Sequence, residues 1–91
     1  MTKREITIRI DSGLETRPVA ILVQMASQFQ SDVYVESENR RVNAKSIMGM
    51  MTLGLDAGSE VTVTTNGEDE EDAINCIENY LTKKEGTADR G

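Results

Sequence analysis

The sequence predicts an α+β fold in which helices cover one face of an antiparallel sheet. Short runs that alternate apolar and polar residues indicate strands, and longer runs with apolar residues at helical spacing indicate helices. These runs follow one another in the order β-α-β-β-α-β-α, which is typical of a two-layer arrangement. The length of 91 residues suits one domain with a single core.

Four strands are predicted from period-two alternation. The first strand ends in the turn residues Asp11, Ser12 and Gly13, and the fourth ends at an Asn-Gly pair. A turn at residues 38–39 separates the second strand from the short third one. The positions that mark the strands are, in chain order, Ile6, Ile8 and Ile10, then Val33 and Val35, then residues 40–43, and finally Val61 and Val63.

Three helices are predicted near residues 17–29, near 47–53 and from the acidic run 68–72 onward. In the first helix, helical spacing predicts a buried stripe that includes Ile21, Leu22 and Phe29. The acidic run favours a helix start, because carboxylates complement the positive end of a helix, over a metal site. We therefore expect no metal and no cofactor. Residues 1–84 are predicted to form the domain, and residues 85–91, which lack apolar anchors, a flexible tail.

Composition restricts the classes of partner. The net charge is -6, which argues against direct binding to nucleic acid or to an anionic membrane, since both interactions depend on basic side chains. No apolar run approaches the ~20 residues that a membrane span requires, and no signal peptide is visible. We expect a cytoplasmic protein.

Residues 13–19 read Gly-Leu-Glu-Thr-Arg-Pro-Val, and the chain contains no histidine. This segment resembles the active-site loop of the HPr phosphocarriers of the sugar phosphotransferase system, Gly-Leu-His-Ala-Arg-Pro-Ala, whose histidine carries the phosphoryl group. Residues 43–51, Asn-Ala-Lys-Ser-Ile-Met-Gly-Met-Met, are similar to the segment in which that family is phosphorylated on serine. The combination is similar to the Crh (catabolite repression HPr) type, which lacks the histidine. The resemblance implies an open-faced β-sandwich.

Glu15 occupies the position of the family's phosphohistidine, and three interpretations of it remain open. It is a tolerated surface residue, a constitutive mimic of phosphohistidine, or a carboxylate that itself carries a phosphoryl group. A carboxylate is a weaker nucleophile than imidazole, and its acyl phosphate is hydrolytically fragile. A carboxylate also has about one negative charge where a phosphoryl group has nearly two.

Ser46 is predicted to be the N-cap of the second helix, because serine is favoured there and an apolar run follows. The resemblance implies that Ser46 is also the site of regulatory phosphorylation, and the two roles are compatible. The helix that follows has more apolar residues than one buried face requires. Either all of them are core, or some form an exposed docking surface. The resemblance favours the second interpretation, with an outward face made of Ile47, Met48 and Met51.

Arg17 has two interpretations as well: its stem covers apolar neighbours, or its guanidinium contacts a regulatory partner, as the resemblance implies. By resemblance, the chain is a regulatory protein and not an enzyme. The resemblance also implies that a bifunctional HPr kinase/phosphorylase phosphorylates Ser46 and that the product binds a LacI-type catabolite control repressor as corepressor. The alternatives are a phosphocarrier that uses Glu15 and a constitutive interaction module. The resemblance is compatible with a monomer or a strand-swapped dimer.

Overall fold

A computed structural model describes residues 1–9, 16–53 and 58–82, with the backbone alone for residues 16–18. Within these residues, four strands form one antiparallel sheet in the order β1-β4-β2-β3, and three helices accompany it. The predicted fold class and element order are therefore confirmed. The elements are β1 Thr2–Thr7, α1 Thr16–Ser27, β2 Asp32–Ser37, β3 Arg40–Asn43, α2 Ile47–Met51, β4 Glu60–Asn66 and α3 Glu70–Leu81.

Strand register places the alternating apolar residues on one face of the sheet. Ile6 of β1 lies opposite Val61 of β4, and Val35 of β2 lies opposite Val63 of β4. These side chains are buried together with residues of α1, α2 and α3, so the core lies between the sheet and the helices. The helical contribution consists of Val19, Leu22, Ala26, Met50, Ala73, Ile74, Ile77 and Leu81.

Two helices end earlier than the apolar periodicity predicts. After α1, the amides of Gln28 and Phe29 donate to carbonyls three residues back. The amides of Thr52 and Leu53 do the same after α2. These hydrogen bonds tighten the turn that follows each α-helix. They keep the apolar side chains of Phe29 and Leu53 against the core although the α-helix has ended. The acidic run also begins outside its helix, since α3 starts at Glu70 with Asp69 as its N-cap.

Asp69 joins the start of α3 to the loop before β2. Its carboxylate accepts hydrogen bonds from the backbone amides of Gln30 and Ser31, both at 2.9 Å, and from the hydroxyl of buried Ser31. The Ser31 hydroxyl, followed by the Gln30 amide, lowers the pKa of Asp69. Gly67 allows this close approach, because a Cβ there would lie 2.6 Å from Ser31 Cα.

Glu70 fixes the beginning of β1 against the same helix. It accepts a hydrogen bond from the Thr2 hydroxyl at 2.7 Å and one from the Gly67 amide at 3.1 Å. It also pairs with the amino group of Met1 at 2.9 Å. The Thr2 hydroxyl, then the Gly67 amide and the amino terminus, lower the pKa of Glu70 to about 2. Farther along the helix, Arg4 binds Glu78 at 2.7 Å.

These two carboxylates predict an acid-sensitive fold. Both pKa values are lower in the folded chain than the ordinary value near 4, so the stabilisation is fully present above about pH 5. It should be lost progressively as the pH falls toward about 2. Urea unfolding at a series of pH values measures this loss. Asp69→Asn should destabilise the protein at pH 7 and flatten the dependence of stability on pH.

Asp72→Asn is the matched control, because it removes an exposed carboxylate of the first turn of α3 without removing the bonds of Asp69 or Glu70. Equal urea midpoints for Asp69→Asn and Asp72→Asn at pH 7 would show that Asp69 does not hold the loop to α3.

Candidate functional site

Ser46 precedes α2 and is exposed. Its backbone is extended, with φ −110° and ψ 113°, and its hydroxyl oxygen accepts a hydrogen bond from the Gly49 amide at 3.2 Å. The predicted N-cap is therefore confirmed. The Ser46 amide donates to the Asn43 carbonyl at 3.0 Å, and the Asn43 side chain accepts from the Lys45 amide at 2.8 Å. A short hydrogen-bonded turn thus holds the serine at the surface.

A lysine ties this turn to the end of α1. The Lys45 ammonium donates to the backbone carbonyl of Phe29 at 2.9 Å, and α1 packs against α2. Phe29 packs against the core from a half-buried position. Sequence reasoning did not find the Lys45 contact, because nothing in local periodicity links residues sixteen positions apart. Through this contact, the turn that carries Ser46 is held against the segment that follows α1.

The apolar residues of α2 divide between core and surface. Met50 is fully buried, whereas Ile47 is 40%, Met48 78% and Met51 48% exposed. Leu53 is half-buried against the core. The interpretation in which all five residues are core is therefore wrong. Ile47, Met48 and Met51 point outward as expected, and we call these three residues the methionine patch. Their role in binding stays a prediction.

Ile21 of α1 is not in the core, although helical spacing predicts it in the buried stripe. It is 40% exposed. The buried face of α1 follows Val19, Leu22 and Ala26, a spacing of three and four residues. Ile21 lies one residue, or about 100°, away from Leu22 on the helix. Ile21 matches the apolar pattern because helical spacing alone does not limit how wide the buried face of the helix is.

The side chains of the two predicted site residues next to the start of α1 are not among those that the structure describes. Glu15 is not among the described residues, and for Arg17 only the backbone is described, in the first turn of α1. Their distances from Ser46 and from the methionine patch therefore stay predictions.

Other surfaces of the described residues offer less chemistry. No group of three or more histidine, cysteine, aspartate or glutamate residues within residues 1–9, 16–53 and 58–82 is placed to hold a metal ion. No helix in those ranges is long and apolar enough to cross a membrane. An open concavity of about 520 Å³ involves mainly residues of β1, β2 and β4 and is not lined by Ser46. Its lining residues are Lys3, Glu5, Glu36, Glu38, Glu60, Val61 and Thr62.

The chain is similar to one protein family over most of its length. Residues 2–83 match the family model described as the PTS HPr component phosphorylation site. The chain is 42% identical over 84 residues to the HPr-like protein Crh of Bacillus subtilis (strain 168), covering 92% of this chain and 99% of the relative. It is 37% identical to the HPr-like protein Crh of Halalkalibacterium halodurans, covering 92% and 100%.

Solved structures agree with these relatives. The phosphocarrier HPr of Bacillus anthracis superposes with a TM-score of 0.86 at 39% identity, over 88% of this chain and 95% of that one. The crystal structure of B. subtilis Crh, described as a dimer with a swapped domain, gives a TM-score of 0.74 at 42% identity, over 92% and 97%. In the chain described here, β1 pairs with β4 of the same molecule.

Proposed function

The chain belongs to the HPr family, and we propose that it is a non-carrier, regulatory member of the Crh type. It is not an enzyme, and it acts as a serine-phosphorylated corepressor in carbon catabolite repression. The observation that carries the proposal is the geometry at α2: an exposed Ser46 directly precedes an exposed methionine patch. The similarity to Crh proteins over nearly the whole chain supports it.

The absence of histidine argues against phosphoryl carriage. A carrier in this family needs an imidazole, which is nucleophilic near neutral pH and forms a labile phosphoramidate. The chain has no histidine at any position, and Glu15 stands where the family's histidine would be. An anionic carboxylate opposes the approach of a phosphoryl donor, and we propose that Glu15 is not phosphorylated.

Ser46 is the proposed acceptor for an HPr kinase/phosphorylase. In the transfer, Ser46 Oγ forms a bond to the terminal phosphorus of a nucleoside triphosphate while the bond to the nucleoside diphosphate breaks. The hydroxyl proton passes to a base of the kinase. The Ser46 oxygen already accepts one hydrogen bond from Gly49 and is otherwise exposed, so the kinase can reach it without unfolding the turn.

Phosphorylation places nearly two negative charges beside the methionine patch. Flexible, polarisable methionine side chains make adaptable contacts, and a charged group beside them fixes the orientation of the bound partner. We propose that a LacI-type catabolite control repressor binds this combined surface, with Arg17 contributing a second charged contact. The net charge of -6 favours action through that protein over direct binding to DNA.

The remaining features follow from the same proposal. A cytoplasmic location suits a protein that meets a kinase and a repressor. The tail that the sequence predicts at residues 85–91 lies outside the described residues. The chain is a monomer or a dimer that exchanges β1. Exchange would make the contacts of Glu70 with Thr2, and of Arg4 with Glu78, between molecules instead of within one. These contacts therefore stabilise both forms alike.

Intact-mass measurement tests the proposed acceptor. Incubation with HPr kinase and ATP should add one phosphate, and Ser46→Ala should abolish the addition. Incubation with enzyme I and phosphoenolpyruvate should add none. Peptide mapping should place the phosphate on Ser46.

A Glu15→His variant is the positive control for the second incubation, because it restores the family's nucleophile. If enzyme I added one phosphate per molecule to the chain without substitutions, the non-carrier role would be rejected. A kinase-derived phosphate on Ser27 or on a threonine would reject Ser46 as the acceptor.

A further inference from the structure

Gly49 lies in the interior of α2, where glycine is unfavourable. A helix interior favours alanine over glycine, since glycine loses more conformational freedom when it becomes helical. A positive φ would justify the residue, but among the described glycines only Gly58 and Gly67 have one. The backbone conformation at Gly49 therefore does not itself require glycine.

Packing of α2 on β3 does not require glycine either. An ideal Cβ on Gly49 would lie 3.5 Å from the Cβ of Val42, which is ordinary van der Waals contact. The nearest atom would be the hydroxyl oxygen of Ser46, at 3.4 Å. A methyl group thus fits the unmodified protein, and it would rest directly against the Ser46 oxygen.

The situation changes when Ser46 carries a phosphoryl group. The phosphorus replaces the hydroxyl proton, and three strongly hydrated oxygens then surround Ser46 Oγ. A methyl group that already touches Oγ would restrict rotation of the phosphoryl group and displace water from its oxygens. Alanine at position 49 should therefore be favourable before phosphorylation and unfavourable after it.

We infer that Gly49 keeps the space beside Ser46 Oγ free for the phosphoryl group. The inference rests on the proposed function, because it concerns the modified form of Ser46. This role would explain why glycine, which weakens a helix, is found at position 49, although neither the backbone conformation nor the packing there requires it.

A thermal double-mutant cycle tests this inference without any kinase. Phosphoserine is incorporated at position 46 during translation, in the parent chain and in Gly49→Ala, and Tm is measured for all four proteins. Gly49→Ala should raise Tm of the unmodified protein by about 4 °C. Phosphorylation should also change Tm differently in the two chains. The change in Gly49→Ala should be more negative than the change in the parent by at least about 4 °C.

Asn79→Ala is the matched control, since it also improves helix propensity but lies at an exposed position of α3. Its effect on Tm should be the same with and without the phosphate. Equal effects of the phosphate on the parent and on Gly49→Ala would overturn the inference and leave the proposed function intact. Failure of HPr kinase to modify Ser46 would instead refute the proposed function, and the cycle would still report on Gly49.

Discussion

Met50→Ala should lower the free energy of unfolding by about 2–5 kcal/mol, because it leaves a cavity in a fully packed core. Met50 has no exposed surface and packs among residues of the sheet and α1. Met48→Ala, two positions away, should change stability by no more than about 0.5 kcal/mol, since 78% of Met48 is exposed. Urea unfolding followed by circular dichroism measures both values.

The pair of variants is its own control, because the same side chain is truncated in the same five-residue helix. Helix propensity and chemistry are matched, and only burial differs. A loss of several kcal/mol for Met48→Ala would place that residue in the core and remove the methionine patch. A negligible effect of Met50→Ala would show that α2 is rotated from the orientation described here.

Met48→Ala should instead weaken binding of the Ser46-phosphorylated protein to a catabolite control repressor by about 1–2 kcal/mol or more, the usual cost of truncating an interface anchor. Apolar contact area depends little on ionic strength, so the loss should be nearly the same at low and high salt. Ile47→Ala should behave in the same way. Calorimetric titration of the purified repressor at two salt concentrations provides the measurement.

Arg17→Ala should lose affinity in a different way, because a charged contact is screened as salt is added. Its defect should be largest at low salt and should shrink at high salt. Lys3→Ala is the matched control, as it removes a positive charge from exposed Lys3 on β1. A salt-dependent defect for Met48→Ala, or equal defects for Arg17→Ala and Lys3→Ala, would contradict the proposed division of the surface.

Local periodicity predicted the element order because each strand and helix buries one side of an alternating or helical pattern. Ile6 and Val61 are examples: each marks a strand by alternation, and the structure places them opposite one another. The same reasoning failed for Ile21, where an apolar residue at acceptable spacing proved to be exposed. Pattern alone does not define the width of a buried stripe.

Contacts between distant residues were not predictable from pattern. The acidic run at the start of α3 indicates a match to the helix dipole, yet Asp69 also binds Ser31, 38 positions away. Glu70 binds Thr2 across the sheet edge. These roles depend on how the strands are arranged in space, which sequence spacing does not encode. Helical spacing does group Met48 with Ile47 and Met51 and separates them from Met50, as the structure has them, but spacing alone does not say which of the two groups is buried.

Titration of the repressor with the unmodified and the Ser46-phosphorylated protein tests the central claim most directly. We predict tight, saturable binding of the phosphorylated form and at least about tenfold weaker binding of the unmodified form, a difference of about 1.4 kcal/mol. Ser46→Ala treated with kinase should behave like the unmodified protein. Equal affinity of the repressor for the phosphorylated and unmodified forms would contradict the account, because the phosphate on Ser46 would then have no role in recognition.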